Sequence, residues 1–502
     1  MSQTEPTMTM EGEWKITRLS PMDNVMPRYY TNLILFFRLA HNQDIHQVHA
    51  ALQKSLLRSL PSAPLVPGRA YEIRDDDEQA HGRGRLEIRV HSSAKPTLLF
   101  NDLTEDPDCE DLEELQQTAL TVQKLIPRLG LPDTRPDGPG ALVFAAQANY
   151  IRGGLLLGLT EYHPVIDGAS GTLLVRKWAE NMRILLKEEK GEADTAPRLD
   201  LPPDSHDHGI LERLWREAGN VPDYSKPETA DEDTYRLIGL GGPGMTHPTI
   251  GLERQDSPPR MRSTIFYVSK ASFAALHAQA ESDIQETQTE QDALRPSASD
   301  ALIALLWRAI CKARFPPNEE QTQQLFESAT ESALDTTLNG RALFSANLPW
   351  TYLGSLVFIN TARLPLSTLL APETTLGSIA QEIRTATDAI TPSKLHEGFG
   401  LAATLPDYKA LSYPFATFAG TEVCISSWLA WNLYDADFGP LLGCPETVRL
   451  PHGEFDAVCR QCVVLPLQVH GGFEIVVSLK EGEMERLETD GEFTRYAKVV
   501  SN

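Results

Sequence analysis

The chain has 502 residues, 41% hydrophobic and 23% charged, which gives apolar material for sizeable cores and a length suited to two or three domains. Lys and Arg number 45 against 69 Asp and Glu, a formal net charge of −24, so phosphate backbones and anionic lipid are disfavoured as partners. The polar start from Met1 to Trp14 lacks a signal-peptide pattern, no apolar run approaches a bilayer span, and six cysteines do not make a disulfide scaffold, so a reduced, cytoplasmic protein is expected.

In chain order, strand-like and helix-like segments alternate, the pattern of an α/β protein. Leu19-Ser-Pro-Met-Asp-Asn24 is turn-rich, and Tyr29 to Leu39 reads as a strand. Asp44 to Leu60 reads as a helix with Ile45, Val48, Ala51 or Leu52, and Leu56 on one side. The acidic runs Asp75 to Glu78 and Glu105 to Glu114 read as solvated loops or helix faces. Apolar, β-prone runs from Ala141 to Ile151 and from Leu155 to Thr160 flank Gly153-Gly154 and predict a hairpin. Its second strand delivers the chain to His163. Ser170 to Leu186, with Leu173, Leu174, Trp178, Met182 and Leu185, predicts an amphipathic helix.

Residues 191–260 are rich in proline, glycine and charge and mark a crossover linker between an N-terminal domain (1–190) and a C-terminal domain (261–502). Within the linker, Gly239-Leu-Gly241-Gly-Pro-Gly244 formally matches a dinucleotide fingerprint, but Pro243 argues against the helix that such a site requires. The C-terminal part opens with a strand over Ser263 to Val268, a helix from Ala271 and a surface loop over Gln285 to Gln291. Ser297-Ala-Ser299-Asp300 is a capping signal for a buried helix over Ala301 to Arg314. Further strands are expected at Leu356 to Asn360, Val423 to Trp428, Val463 to Val469 and Phe473 to Leu479.

No metal site is expected. Cys459-Arg-Gln-Cys462 has ligand spacing but no second pair, and His46 with His49 and His206 with His208 lack glutamates in register, so both pairs read as surface histidines.

His163-Pro-Val-Ile-Asp167-Gly168 follows a strand and precedes a helix, a rigid setting from which a side chain reaches a cleft. Pro164 keeps the turn from becoming helical. Asp167 admits two readings: it orients the imidazole, or it points away and anchors the loop through a basic partner.

His163-x-x-x-Asp167-Gly168 resembles the H-x-x-x-D-G motif of the BAHD acyltransferases, and Asp437-Phe438-Gly439, 437 − 163 = 274 positions later, resembles that family's D-F-G-W-G. Similar stretches run along nearly the whole chain: Leu19-Ser-Pro-Met-Asp23, Leu65-Val-Pro-Gly-Arg69, Ser299-Asp-Ala-Leu302 with Trp307, Asn339-Gly-Arg341, Tyr352-Leu-Gly354 and Ser427-Trp428. Pro440 stands where plant members have tryptophan, and Ser355 where they have asparagine. Asp437 to Arg449 is more similar to the fungal branch, which includes trichothecene 3-O-acetyltransferases and acylates secondary metabolites.

The resemblance implies two similar mixed-sheet domains of the chloramphenicol-acetyltransferase type, with the active-site channel at their interface. It implies an acyl-CoA-dependent O-acyltransferase with no bound cofactor; acetyl-CoA is the expected co-substrate and a small-molecule alcohol the expected acceptor. His163 is the expected base, grouped with Asp167 and Asp437 as the catalytic set. By the same resemblance Asp167 is a loop anchor paired with Arg341, and Asp437 holds a loop that shapes the channel. Ser427 is the candidate oxyanion donor, with Trp428 and Gly168 beside it in the pocket. A monomer is expected. Cyclisation or C–C bond formation on the same scaffold, and carrier-protein-dependent condensation, are the rival readings; Tyr162 stands where the condensation motif has its first histidine.

Overall fold

The computed structural model describes residues 13–74, 81–116, 124–242, 261–285, 295–413, 420–451 and 460–501. The fold is α/β and built on mixed sheets. The sheet that leads to His163 has five strands in the order Thr447–Arg449, Tyr30–Arg38, Gly154–Tyr162, Phe144–Ile151 and Thr97–Asp102. Only the last pair is parallel. The predicted hairpin forms, with Gly153 at φ +79° in its turn, a conformation glycine adopts without steric cost. A four-stranded antiparallel sheet (Trp14–Arg18, Leu86–His91, Arg69–Glu72, Ala141–Leu142) lies alongside.

Helix Gly168–Glu189 packs with helix Ile45–Ser59 on the five-stranded sheet. Trp178 is fully buried between them, and its indole N–H is shared between the Leu52 carbonyl and Ser55 Oγ, both at 3.0 Å. The buried donor is therefore satisfied, and the ring keeps its full apolar contribution.

The second domain is built on seven strands in the order Val357–Pro365, Glu331–Asn339, Val423–Ser427, Cys462–Val464, Phe473–Lys480, Met261–Val268 and Ala497–Ser501. Ser297 and Asp300 form a reciprocal capping box at the start of helix Ala298–Arg314. That helix is buried nearly all round, as its apolar pattern requires.

Two features depart from the sequence reading. The strand expected over Val463 to Val469 spans only Cys462–Val464, because Pro466 cannot donate to a ladder. Residues 191–260 hold helices Ile210–Glu217 and Glu232–Leu237, each too short to show a long periodic pattern. Their Trp215 and Tyr235 enter a core with Met22, Val25, Phe344 and Phe399. Gly239 follows the second of these helices rather than a strand, the reverse of the dinucleotide arrangement; Pro243 and Gly244 lie outside the described residues, as do Asp75 to Glu78 and Cys459.

The two halves also exchange segments. Strand Thr447–Arg449 pairs with Tyr30–Arg38, and Leu433, Tyr434, Ala436, Phe438 and Val448 join the core of the first sheet. No described helix is long and apolar enough to cross a membrane.

Candidate active site

His163 continues the Gly154–Tyr162 strand by one residue: its N–H donates to the Tyr29 carbonyl at 3.1 Å. The half-buried ring stands edge-on to Tyr29, centroids 5.2 Å apart. Nδ1 is sealed from solvent without a side-chain partner, beside the residue's own carbonyl, so Nε2 is the nitrogen left for an incoming group. Burial lowers the imidazole pKa, opposed by that carbonyl and by the charge of Asp167. The ring is therefore neutral at neutral pH, the form a base must have.

Asp167 does not touch the ring. Its carboxylate caps helix Gly168–Glu189 by accepting from the Ser170 N–H at 2.9 Å, and also accepts from the Leu356 N–H at 3.0 Å. Arg341 donates to both oxygens, Nη1 to Oδ2 and Nη2 to Oδ1, each at 2.9 Å. The remaining guanidinium N–H groups go to the Tyr352 carbonyl, Asn339 Oδ1 and the Gly354 carbonyl, which uses all five donors. Both side chains are almost fully buried, at 2% and 3% exposure. Burial disfavours the Asp167 charge, but Arg341 and the two backbone donors outweigh it and hold the carboxyl below its usual range.

A second buried carboxylate braces the same turn. Asp23, in the Leu19-Ser-Pro-Met-Asp23 stretch, accepts from the Ser20 N–H at 2.7 Å and the Ser355 N–H at 2.7 Å, and pairs with His208 Nδ1 at 2.6 Å. Ser355 in turn donates through Oγ to the His163 carbonyl at 3.0 Å. Ser355, which stands where the resembling motif has asparagine, thus holds the main chain of the base.

Gly168 abuts the Trp431 ring so closely that a Cβ there would overlap it. Trp431 stacks on Trp428, centroids 4.5 Å apart, and Trp428 donates to Ser426 Oγ at 3.0 Å. Ser427 ends its strand beside this pair, opposite Val464, and among the described residues no hydrogen bond joins it to His163. One step further along helix Gly168–Glu189, Gly171 leaves room for Glu161, whose Oε2 would lie 2.5 Å from a Cβ.

Asp437 lies elsewhere. Its Oδ1 accepts from the Gly439 N–H at 2.8 Å, and its 42%-exposed side chain is 3.9 Å from Arg183. Arg183 is fifteen residues past Gly168, about 22 Å along the helix. Phe438 is the buried member of the motif, edge-on to Phe37 at 5.2 Å and to Trp178 at 5.9 Å.

A cleft opens beside the turn, lined by Leu65, Val66, Val165, Ile166, Leu174 and Leu353, with His206 and His208 among its polar members. The surface reading of the close-spaced histidines holds for His46, which is exposed, and is corrected for the other three. His208 is 2% exposed, His206 faces the cleft, and His49 stands edge-on to Phe100 and Tyr150 with Nδ1 buried. Single-sequence spacing carries no information on what folds over a loop histidine. The same holds for Trp431 and Glu161, which no local pattern singled out. Among the described residues no group of three or more His, Cys, Asp or Glu side chains is arranged to hold a metal ion.

Two family descriptions match the chain: the Transferase family over residues 253–494 and the trichothecene 3-O-acetyltransferase-like N-terminal domain over residues 29–180. The chain is similar to the isocyanide synthase-NRPS hybrid crmA of Aspergillus fumigatus, 28% identical over 510 residues. That match covers 96% of this chain but only 31% of the hybrid's length. The eremophilane O-acetyltransferase ORF8 of Penicillium roqueforti is 27% identical over 492 residues, covering 96% of this chain and 98% of its own. In architecture the chain is similar to F. graminearum TRI101 complexed with coenzyme A and deoxynivalenol, with a TM-score of 0.77, 20% identity, and coverage of 97% of this chain and 100% of that one.

Proposed function

The chain belongs to the Transferase family, and from that premise we propose that it is an acyl-CoA-dependent O-acyltransferase of fungal secondary metabolism with His163 as general base. The observation that carries this reading is the setting of His163. Its ring is neutral by burial and sealed at Nδ1, on a turn locked by two buried carboxylates, and among the described residues no hydrogen bond engages Nε2.

An alcohol is a poor nucleophile at neutral pH and needs a positioned base. Nε2 of His163 takes the hydroxyl proton as the oxygen attacks the thioester carbonyl carbon. The tetrahedral oxyanion collapses, the C–S bond breaks, and the imidazolium returns its proton to the coenzyme A thiolate. No acyl-enzyme forms. An oxyanion donor is worth about 3–4 kcal/mol in comparable sites, and Ser427, beside the Trp428–Trp431 stack, is assigned that role. Asp167 and Arg341 hold the turn, and Asp437 holds the distant loop.

Acetyl-CoA is the favoured donor, in line with the named activity of the Penicillium relative. The protein acts as a cytoplasmic monomer on small molecules, apart from nucleic acid and membranes, in keeping with its charge of −24.

Purified protein should be assayed with several acyl-CoAs, and with acyl carrier protein as an alternative donor, against terpenoid, polyketide and alkaloid alcohols that include an eremophilane alcohol and deoxynivalenol. Product mass identifies both substrates. Transfer from acyl-CoA is expected, and His163→Ala should lower turnover by about 10²–10⁴. A good substrate turned over equally well by His163→Ala overturns the assignment, and transfer from the carrier protein alone overturns the choice of donor.

A further inference from the structure

Glu161 precedes His163 by two residues on the strand that enters the site. It sits opposite Phe144 and Thr31 in the ladder, and Phe144 contacts Trp178 of helix Gly168–Glu189, so Glu161 is on the helix-covered face. Side chains two apart on a strand share a face, with Cα atoms about 7 Å apart. The His163 N–H to Tyr29 bond extends this alternation to the base.

The Glu161 carboxyl lies flat against Gly171, its oxygens 2.5 and 2.9 Å from where a Cβ would stand. The position is open only because residue 171 is glycine. The side chain is partly exposed, and among the described residues neither carboxyl oxygen has a hydrogen-bond partner. Every other carboxylate that braces the turn is saturated. Asp167 accepts from Arg341, Ser170 and Leu356, and Asp23 from Ser20 and Ser355 with His208 against it.

We propose that Glu161 is a specificity-determining residue of this site, which hydrogen-bonds an oxygen of the acceptor and so fixes which of its hydroxyls is presented to His163. The inference rests on the acyl-transfer reading above. The spacing from the base suits a second oxygen on the molecule that carries the attacking hydroxyl. Phe144 and Thr31 stand opposite Glu161 on the neighbouring strands, Gly171 of the helix lies over its carboxyl, His163 follows two residues on, and the charge that acts on it is that of Asp167. Burial, with the Asp167 charge second, pushes the Glu161 carboxyl up to about 8. At neutral pH it is therefore a hydrogen-bond donor, and it loses that proton as pH rises through about 8.

The test uses acetyl-CoA and the polyhydroxylated alcohol that the wild type turns over best. Glu161→Ala should raise the acceptor KM by about tenfold or more, leave the acetyl-CoA KM within about twofold, and shift acylation toward another hydroxyl. Glu161→Gln keeps a neutral donor, so its acceptor KM should match the wild type at pH 7 and stay flat to pH 9, where the wild-type value rises. If Glu161→Ala does not fold, the Glu161→Gln profile decides. An unchanged acceptor KM and product ratio in Glu161→Ala, a change confined to the acetyl-CoA KM, or identical pH profiles for Glu161→Gln and wild type overturns the proposal. Loss of all wild-type turnover on the alcohols would instead count against acyl transfer itself.

Discussion

The turn around Asp167 and the loop around Asp437 each place an aspartate near an arginine, yet the two pairs differ in kind. Asp167 and Arg341 are buried, bidentate and saturated with hydrogen bonds, and they tie the first residues of helix Gly168–Glu189 to the segment from Asn339 to Leu356 of the other half. Asp437 is 42% exposed, bonds its own loop at Gly439 N–H, and meets Arg183 only at 3.9 Å. The motif glycines differ in the same way. Gly168 is required by a neighbour, the Trp431 ring; Gly439 is required by its backbone, at φ +80°, as well as by Arg183 Cα at 2.9 Å from a would-be Cβ. Similar residue types thus serve a joint between domains in one place and a local turn in the other.

The sharpest way to break this contrast is to remove one partner of the buried pair. Asp167→Ala or Arg341→Ala leaves an uncompensated buried charge and should cost about 3–5 kcal/mol, read as a fall in denaturant midpoint with loss of activity; a drop below about 1 kcal/mol would put the pair on a level with the exposed one. Gly168→Ala comes next. It must displace Trp431, so activity should fall and tryptophan fluorescence should change while the circular dichroism stays native. Asp437→Asn should move stability by no more than about 1 kcal/mol, since an exposed ion pair contributes little, and should leave turnover within about threefold; a loss comparable to Asp167→Ala would erase the distinction.

Two pH measurements sharpen it further. Burial lowers the His163 pKa, so the acid limb of kcat/KM should fall below the ordinary histidine value of about 6.5. A limb above 6.5 would mean that a carboxylate stabilises the imidazolium directly. Glu161 has a folded pKa above its unfolded one, so the fold binds the extra proton and the stabilising contribution is full below about 4.5 and lost as pH rises through about 8. The Tm advantage of Glu161→Gln over wild type should therefore grow from pH 5 to pH 9, and a constant difference would count against a neutral carboxyl.

Much of this was legible in one sequence. Hydrophobic period and capping residues located the hairpin, helix Gly168–Glu189 and helix Ala298–Arg314, because those signals act within a few residues of the chain. The paired motifs pointed to the acyltransferase family and to His163. Short helices between 191 and 260 were not legible, since two turns carry too little periodicity.

What the sequence determined by itself was local: the elements, the strand-to-helix turn that presents His163, and the family to which the motifs belong. The Asp167–Arg341 pair was anticipated by the family resemblance and not by spacing, and tertiary structure alone decided the other partners of that turn. Asp167 stands four residues from His163 but bonds Arg341, 174 residues away, and Glu161, beside Gly171, has no side-chain hydrogen bond among the described residues. The physical reason is that burial makes an unsatisfied charge costly, so a partner is taken from whatever segment the fold brings close. Spacing along the chain does not record which segment that is.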